Sequence, residues 1–112
     1  MARCLSCLCF IGFSAFLVSC SEAPSERAAK HESRGDGYVQ QEKFLEAVIE
    51  YKNAARVAPD NPAIHWKLAK AASQVGDPST IFTSLGRVVQ LDPTDFEAQW
   101  SLGDFYLAAG KT

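Results

Sequence analysis

Cys4 and Cys7 have the spacing of a metal or redox pair, and His31 and His65 are the chain's two imidazoles. Gly110-Lys111-Thr112 matches the tail of a phosphate-binding loop. Each group fails for a physical reason. Cys4 and Cys7 lie in uniformly apolar surroundings with no histidine near, which is poor ground for zinc or redox chemistry. A phosphate-binding loop needs a glycine five residues before the glycine of Gly-Lys, and Phe105 stands there. His31 and His65 are 34 residues apart, an interval that recurs elsewhere in the chain, so repetition explains them better than a shared metal. No Ser-His-Asp set and no catalytic carboxylate pair can be assembled from spacing. The chain reads as non-catalytic, with no metal and no cofactor.

One further thiol has a specific context. Arg3 is followed by an apolar run from Cys4 to Val18 that includes Phe10, Ile11, Phe13, Phe16 and Leu17. That run is shorter than the roughly 20 residues a helix needs to span a bilayer, and it reads as a secretion signal over 1–19. At its end, Leu17-Val18-Ser19-Cys20 resembles the lipobox of bacterial lipoproteins. The resemblance implies cleavage after Ser19 and a diacylglycerol, with further palmitate-type acylation, on Cys20. It also implies sorting towards an outer membrane, because Ser21 rather than aspartate follows. Removal of the signal would leave Cys20 as the only cysteine, so no internal disulfide could form. A serine there could not form the thioether, so Cys20→Ser is expected to block processing and lipid attachment.

Arg3 is the only charged residue before Cys20, so cleavage reduces eleven basic residues to ten against thirteen acidic ones. There is no basic stripe with interleaved aromatics, which argues against nucleic-acid binding. Residues 20–27, with Pro24 and Ser25, read as the lipidated N-terminus and a short polar tether.

What must position any site is a set of helices. Phe44, Ala47, Val48, Tyr51, Ala54, Ala55 and Ala58 step by three and four, the stripe of an amphipathic helix rather than the alternation of a strand. Asn61-Pro62 and Asp77-Pro78 supply a capping oxygen and a proline where a helix start tolerates one. Thr94 and Glu97 have capping-box spacing. Helices are expected near 27–40, 44–57, 62–75, 79–90 and 95–109. Gly35 and Gly37 weaken the first by about 1 kcal/mol each relative to alanine.

The helices recur. Trp66 and Trp100, Leu68 and Leu102, Pro59 and Pro93, and Gly76 and Gly110 are all 34 residues apart, and four residue types sharing one step mark a structural repeat. Trp66, Leu68, Ala69, Gly76-Asp77, Ile81, Leu85, Val88 and Asp92-Pro93 resemble a tetratricopeptide repeat, a helix-turn-helix unit. Ala98, Trp100, Leu102, Gly103 and Tyr106 begin another, and Phe44, Ala47, Tyr51, Ala54 and Pro59 end an earlier one. His31 and Arg34 depart from the family pattern. The resemblance implies an all-α solenoid over 28–112, with repeats near 28–61, 62–95 and a partial one over 96–112.

The family's first helices line a concave groove that takes extended peptides or partner helices. Carried over by correspondence, that groove holds Ala29, Glu32, Asp36, Val39 and Gln40; Ala63, Trp66, Lys70, Ser73 and Gln74; and Glu97, Trp100, Asp104, Leu107 and Ala108. Of these, Trp66, Lys70, Ser73, Gln74, Trp100, Asp104 and Leu107 are the candidate partner-binding residues. Both tryptophans sit one place later than the family's usual aromatic, so groove exposure and interhelix packing both remain open for them. Lys70 and Asp104 read equally as solvated charges. Leu102, Phe105, Tyr106 and Leu107 leave the last helix apolar, as expected of a longer array or of a partner that completes it.

The resemblances together imply a lipid-anchored scaffold that binds envelope proteins, as in exopolysaccharide export or envelope protein sorting. Pilotin-like assembly factors share the pattern. A recognition arm of an enzyme extending beyond Thr112, or a secreted soluble adaptor, would fit the repeats without the anchor.

Overall fold

A computed structural model of the chain describes residues 21–110. They form five helices: α1 Pro24–Gln40, α2 Phe44–Val57, α3 Pro62–Val75, α4 Pro78–Leu91 and α5 Phe96–Ala108. No strand occurs among the described residues. Short connections fold the chain back after each helix, and each helix packs chiefly on its neighbours in sequence. That is an all-α helical-repeat solenoid, consistent with the architecture the tetratricopeptide resemblance implies.

The helix starts follow local chemistry. The Asn61 side chain accepts a hydrogen bond from the Ala63 amide at 3.0 Å, and Asp77 accepts from the Thr80 amide at 3.1 Å. Each satisfies a donor that the first turn leaves open, and Pro62 and Pro78 follow where the missing amide costs nothing. Pro24 does the same for α1. Pro24, Ser25 and Glu26 are therefore helical, and only Ser21 to Ala23 of the described tether lie outside a helix. At α5 the cap is Asp95, not Thr94. Its carboxylate accepts from the Ala98 amide at 2.9 Å, while the Thr94 amide and hydroxyl turn back to Asp92 at 3.0 and 2.6 Å. A charged acceptor one residue later displaces the Thr94–Glu97 capping box.

The core lies between successive helices. Ala47, Val48 and Tyr51 of α2 pack with Leu68, Ala71 and Ala72 of α3, flanked by Tyr38 and Ile81. Ala28, Ala54 and Ile64 form a second cluster. Alanine at so many contact positions lets the helix backbones approach closely, so the packing is shallow but continuous.

Gly35 has a tertiary reason for its place in α1. A Cβ there would lie 2.5, 2.7 and 2.9 Å from Cε1, Cδ1 and Cζ of Tyr51. The ring is buried, and its hydroxyl donates to Asp36 at 2.7 Å. The helix-propensity cost of Gly35 is thus the condition for seating Tyr51 against α1. Gly37 has open space around it and no such role.

The chain leaves α1 through a left-handed residue, Glu42, at φ 59°. The Lys43 amide reaches the Tyr38 carbonyl at 2.9 Å and the Glu42 amide reaches Val39 at 3.0 Å, the bond pair of a Schellman cap. One and two repeats later the same position holds Gly76 (φ 71°) and Gly110 (φ 67°). Glutamate alone pays the Cβ penalty. Glu42→Gly is expected to stabilise the fold by about 1 kcal/mol, read as a raised midpoint in urea. A lowered midpoint would show that the Glu42 side chain contributes more than its backbone costs.

Candidate functional site

Five of the seven candidate partner-binding residues meet in one cavity. Trp66, Lys70 and Ser73 of α3 face Trp100 and Asp104 of α5 across a groove of about 360 Å³, floored by Ile81 and Leu85 of α4. The 34-residue step creates this arrangement, since positions 66 and 100, and 70 and 104, hold the same place on consecutive first helices. Gln74 instead lines a neighbouring hollow with Val39 and Lys67. Leu107 lies beyond the shared cavity, in an open hollow on α5 beside Trp100 and Asp104.

The two tryptophans, equivalent in sequence, do different jobs. Trp66 is half-buried, and its indole N–H donates to Oδ2 of Asp95 at 2.7 Å. Trp100 is 79% exposed. Trp66 therefore both packs and lines the groove, while Trp100 projects into solvent. The Lys70 ammonium sits 5.3 Å from the Trp66 ring centroid, within cation–π range. Among the described residues neither Lys70 nor Asp104 has an ion-pair partner.

Asp95 couples α3 to α5: one carboxylate oxygen caps the helix and the other accepts from Trp66. The hydrogen bond from Trp66, then that from the Ala98 amide, holds its carboxyl below the ordinary 3.8. A carboxylate whose folded value is depressed adds stability that is present above its unfolded value and lost as pH falls through the folded one. Asp95→Asn should therefore flatten the acid limb. Comparing urea midpoints at about pH 7 and about pH 3, below the unfolded carboxylate range, the variant should lose less than the parent chain. An equal or larger loss would contradict the assignment.

At the α1 end the groove is closed by charge. Lys67 of α3 bridges Glu32 at 2.7 Å and Asp36 at 2.8 Å on α1. Burial disfavours the Lys67 ammonium, but hydrogen bonds to the two carboxylates outweigh it and raise the pKa. Burial likewise opposes the Asp36 charge, yet hydrogen bonds from Lys67 and Tyr51 hold that carboxyl below its ordinary range. Tyr51 is pushed well up by burial and then by the adjacent Asp36. Glu32 and Asp36, both assigned to the groove from sequence, are thus occupied within the protein. Lys67, Tyr51 and Asp95, which hold this frame, were not among the candidates. Only their contacts with partners 15 to 35 residues away mark them, and sequence does not display those.

The histidines serve the repeat. Nε2 of His65 lies 2.8 Å from the Pro59 carbonyl, and Nε2 of Gln99, its equivalent one repeat on, donates to the Pro93 carbonyl at 2.6 Å. A carbonyl only accepts, so His65 carries its proton on Nε2. His31 contacts Glu50 at 2.7 Å across α1 and α2. Among the described residues, no three His, Cys, Asp or Glu side chains gather as a metal would require. No helix among them is long and apolar enough to cross a membrane. Cys20 and the cysteines before it lie outside the described residues, as do Lys111 and Thr112.

A family model described as TPR repeat matches residues 35–76, from the end of α1 through α2 and α3. No curated protein matches the chain significantly. A tetratricopeptide repeat is a protein-binding scaffold module, typically non-catalytic, and the match covers the contact between successive repeats where Tyr51 of α2 packs with Leu68 of α3.

Proposed function

We propose that this chain is a non-catalytic scaffold that holds partner proteins in the groove between α3 and α5. The observation that carries this is the side-by-side placement of Trp66, Lys70, Trp100 and Asp104 around one cavity, with Trp100 79% exposed. A large exposed aromatic beside unpaired charges has little structural work to do, and tryptophan is enriched where binding energy concentrates. Co-purification from envelope extracts with the parent chain and with Trp100→Ala tests it. Specific partners should be captured by the parent and lost by the variant; equal capture by both would place the contact elsewhere.

The same proposal puts the scaffold on a membrane, through lipid on Cys20, facing the periplasm from an outer membrane. Its support is Leu17-Val18-Ser19-Cys20 at the end of an apolar run, with Ser21 following. Envelope proteins are then the natural partners, and exopolysaccharide export and envelope protein sorting the natural settings. Lipid chains contribute about 0.8 kcal/mol per buried CH₂, so two or more would hold the protein firmly. Cys20→Ser should move it from the membrane fraction to the soluble fraction, or leave it unprocessed. Unchanged fractionation and mass would remove the anchor from the account.

A further inference from the structure

We infer that the groove selects an extended peptide carrying one acidic and one basic side chain about three residues apart, with flat apolar residues between them. This rests on the groove being the partner-binding site and adds what the partner must look like. Three equivalent positions, 36, 70 and 104, recur along the first helices. Asp36 is consumed by Tyr51 and Lys67, and Glu32, one turn before it, is consumed by Lys67. The groove positions Glu32 and Asp36 of α1 therefore offer a ligand no unpaired charge. Lys70 and Asp104 do, with opposite signs, on the rim of one cavity and unpaired to each other.

The spacing follows from general dimensions. Lys70 and Asp104 line the same cavity of about 360 Å³, and a polyproline-type chain advances about 3.1 Å per residue, so about three residues carry a ligand from one charge to the other. Between them the surface is the Trp66 and Trp100 rings, which suit proline or another flat apolar side chain. The ammonium of Lys70, held over the Trp66 ring, keeps donors for an incoming carboxylate. Asp104, exposed on α5, has both oxygens available for an ammonium or guanidinium.

The test uses four fluorescently labelled peptides with the cores Glu-Pro-Pro-Arg, Gln-Pro-Pro-Gln, Glu-Pro-Pro-Glu and Arg-Pro-Pro-Arg, titrated by anisotropy. The parent chain should bind the Glu/Arg peptide about tenfold more tightly than the Gln/Gln peptide, the sum of two modest exposed ion pairs. Lys70→Glu leaves two acids and should shift the preference to Arg/Arg. Asp104→Lys leaves two bases and should shift it to Glu/Glu. Both side chains are exposed, so unchanged helicity is expected and is checked by circular dichroism. Because the cores are compared by charge content, the direction in which the peptide lies does not matter. Equal affinities for all four, or a ranking that the substitutions do not move, overturn the inference while leaving the groove as a binding site. Absence of binding by every peptide also overturns it, and the capture experiment with Trp100→Ala then decides the groove separately.

Discussion

Gly35→Ala is expected to destabilise the protein by about 1–2 kcal/mol, although alanine is the better helix former. Alanine gains about 1 kcal/mol in an exposed helix interior, but overpacking a filled contact costs about 1–3 kcal/mol. Here the new methyl would stand 2.5–2.9 Å from three ring atoms of Tyr51. The ring cannot swing aside cheaply, because its hydroxyl is bonded to Asp36, which in turn holds Lys67. Gly37→Ala, two residues on with nothing within 4 Å of the added Cβ, should instead stabilise by about 0.5–1 kcal/mol.

The repeat itself supplies the compensating change. Positions 35 and 51 hold glycine and tyrosine, whereas one repeat later positions 69 and 85 hold alanine and leucine, both buried. A small residue with a large one, or a medium pair, fills the same place. Tyr51→Leu alone should cost about 2 kcal/mol through lost ring packing and the lost bond to Asp36. The double variant Gly35→Ala with Tyr51→Leu should cost less than the two singles together, by about 1–2 kcal/mol of coupling. Urea unfolding of the four proteins measures this. Strict additivity would mean that Tyr51 is not what keeps position 35 a glycine.

The second large effect separates the tryptophans. Trp100→Ala should leave stability within about 0.5 kcal/mol, as an exposed substitution does, while partner affinity falls about 30-fold or more, as expected for a hot-spot tryptophan. Trp66→Ala should do something different. It removes a half-buried ring and leaves Asp95 without the indole donor, and should cost about 2–3 kcal/mol of stability. Any loss of binding in that variant mixes contact with folding. Thermal unfolding beside affinity for a captured partner distinguishes them: a stable Trp66→Ala protein, or a destabilised Trp100→Ala protein, would reverse the roles assigned here.

That separation marks where sequence stops being informative. The 34-residue step, the stripe from Phe44 to Ala58 and the Asn61-Pro62 and Asp77-Pro78 starts place the helices to within a few residues, because period, proline and cap act locally. They also bring Trp66, Lys70, Ser73, Trp100 and Asp104 to one groove, because a repeat carries equivalent positions to equivalent places. Periodicity cannot say that Trp66 is tied to Asp95 while Trp100 is free, since the difference lies in a partner 29 residues away. Nor can it say that Gly35 is required and Gly37 is not, or that Lys67 fills the α1 end of the groove. The capping box expected at Thr94 and Glu97 gives way for a local reason: Thr94 and Asp95 are adjacent acceptors, and the charged one caps the helix. Gln74 and Leu107 share the groove's register but sit beyond its cavity.

The α5 surface shows the same limit. Phe105 and Tyr106 pack on Phe82, with centroids 6.4 and 5.2 Å away, so part of the apolar face expected to be bare is covered by α4. Phe96 and Leu107 remain exposed. Phe96 stands two repeats after Ala28, a buried residue packed against α2.

Site-specific photo-cross-linking tests the binding groove most directly. A photoreactive residue placed at Ser73 or Ser101, which line the groove, is compared with one at Leu45 or Ile49, exposed on α2 outside it. Partner adducts should form from the two groove positions and be absent from the α2 positions. Adducts from Leu45 or Ile49 with none from Ser73 or Ser101 would contradict the account and move recognition to the outer face of the solenoid.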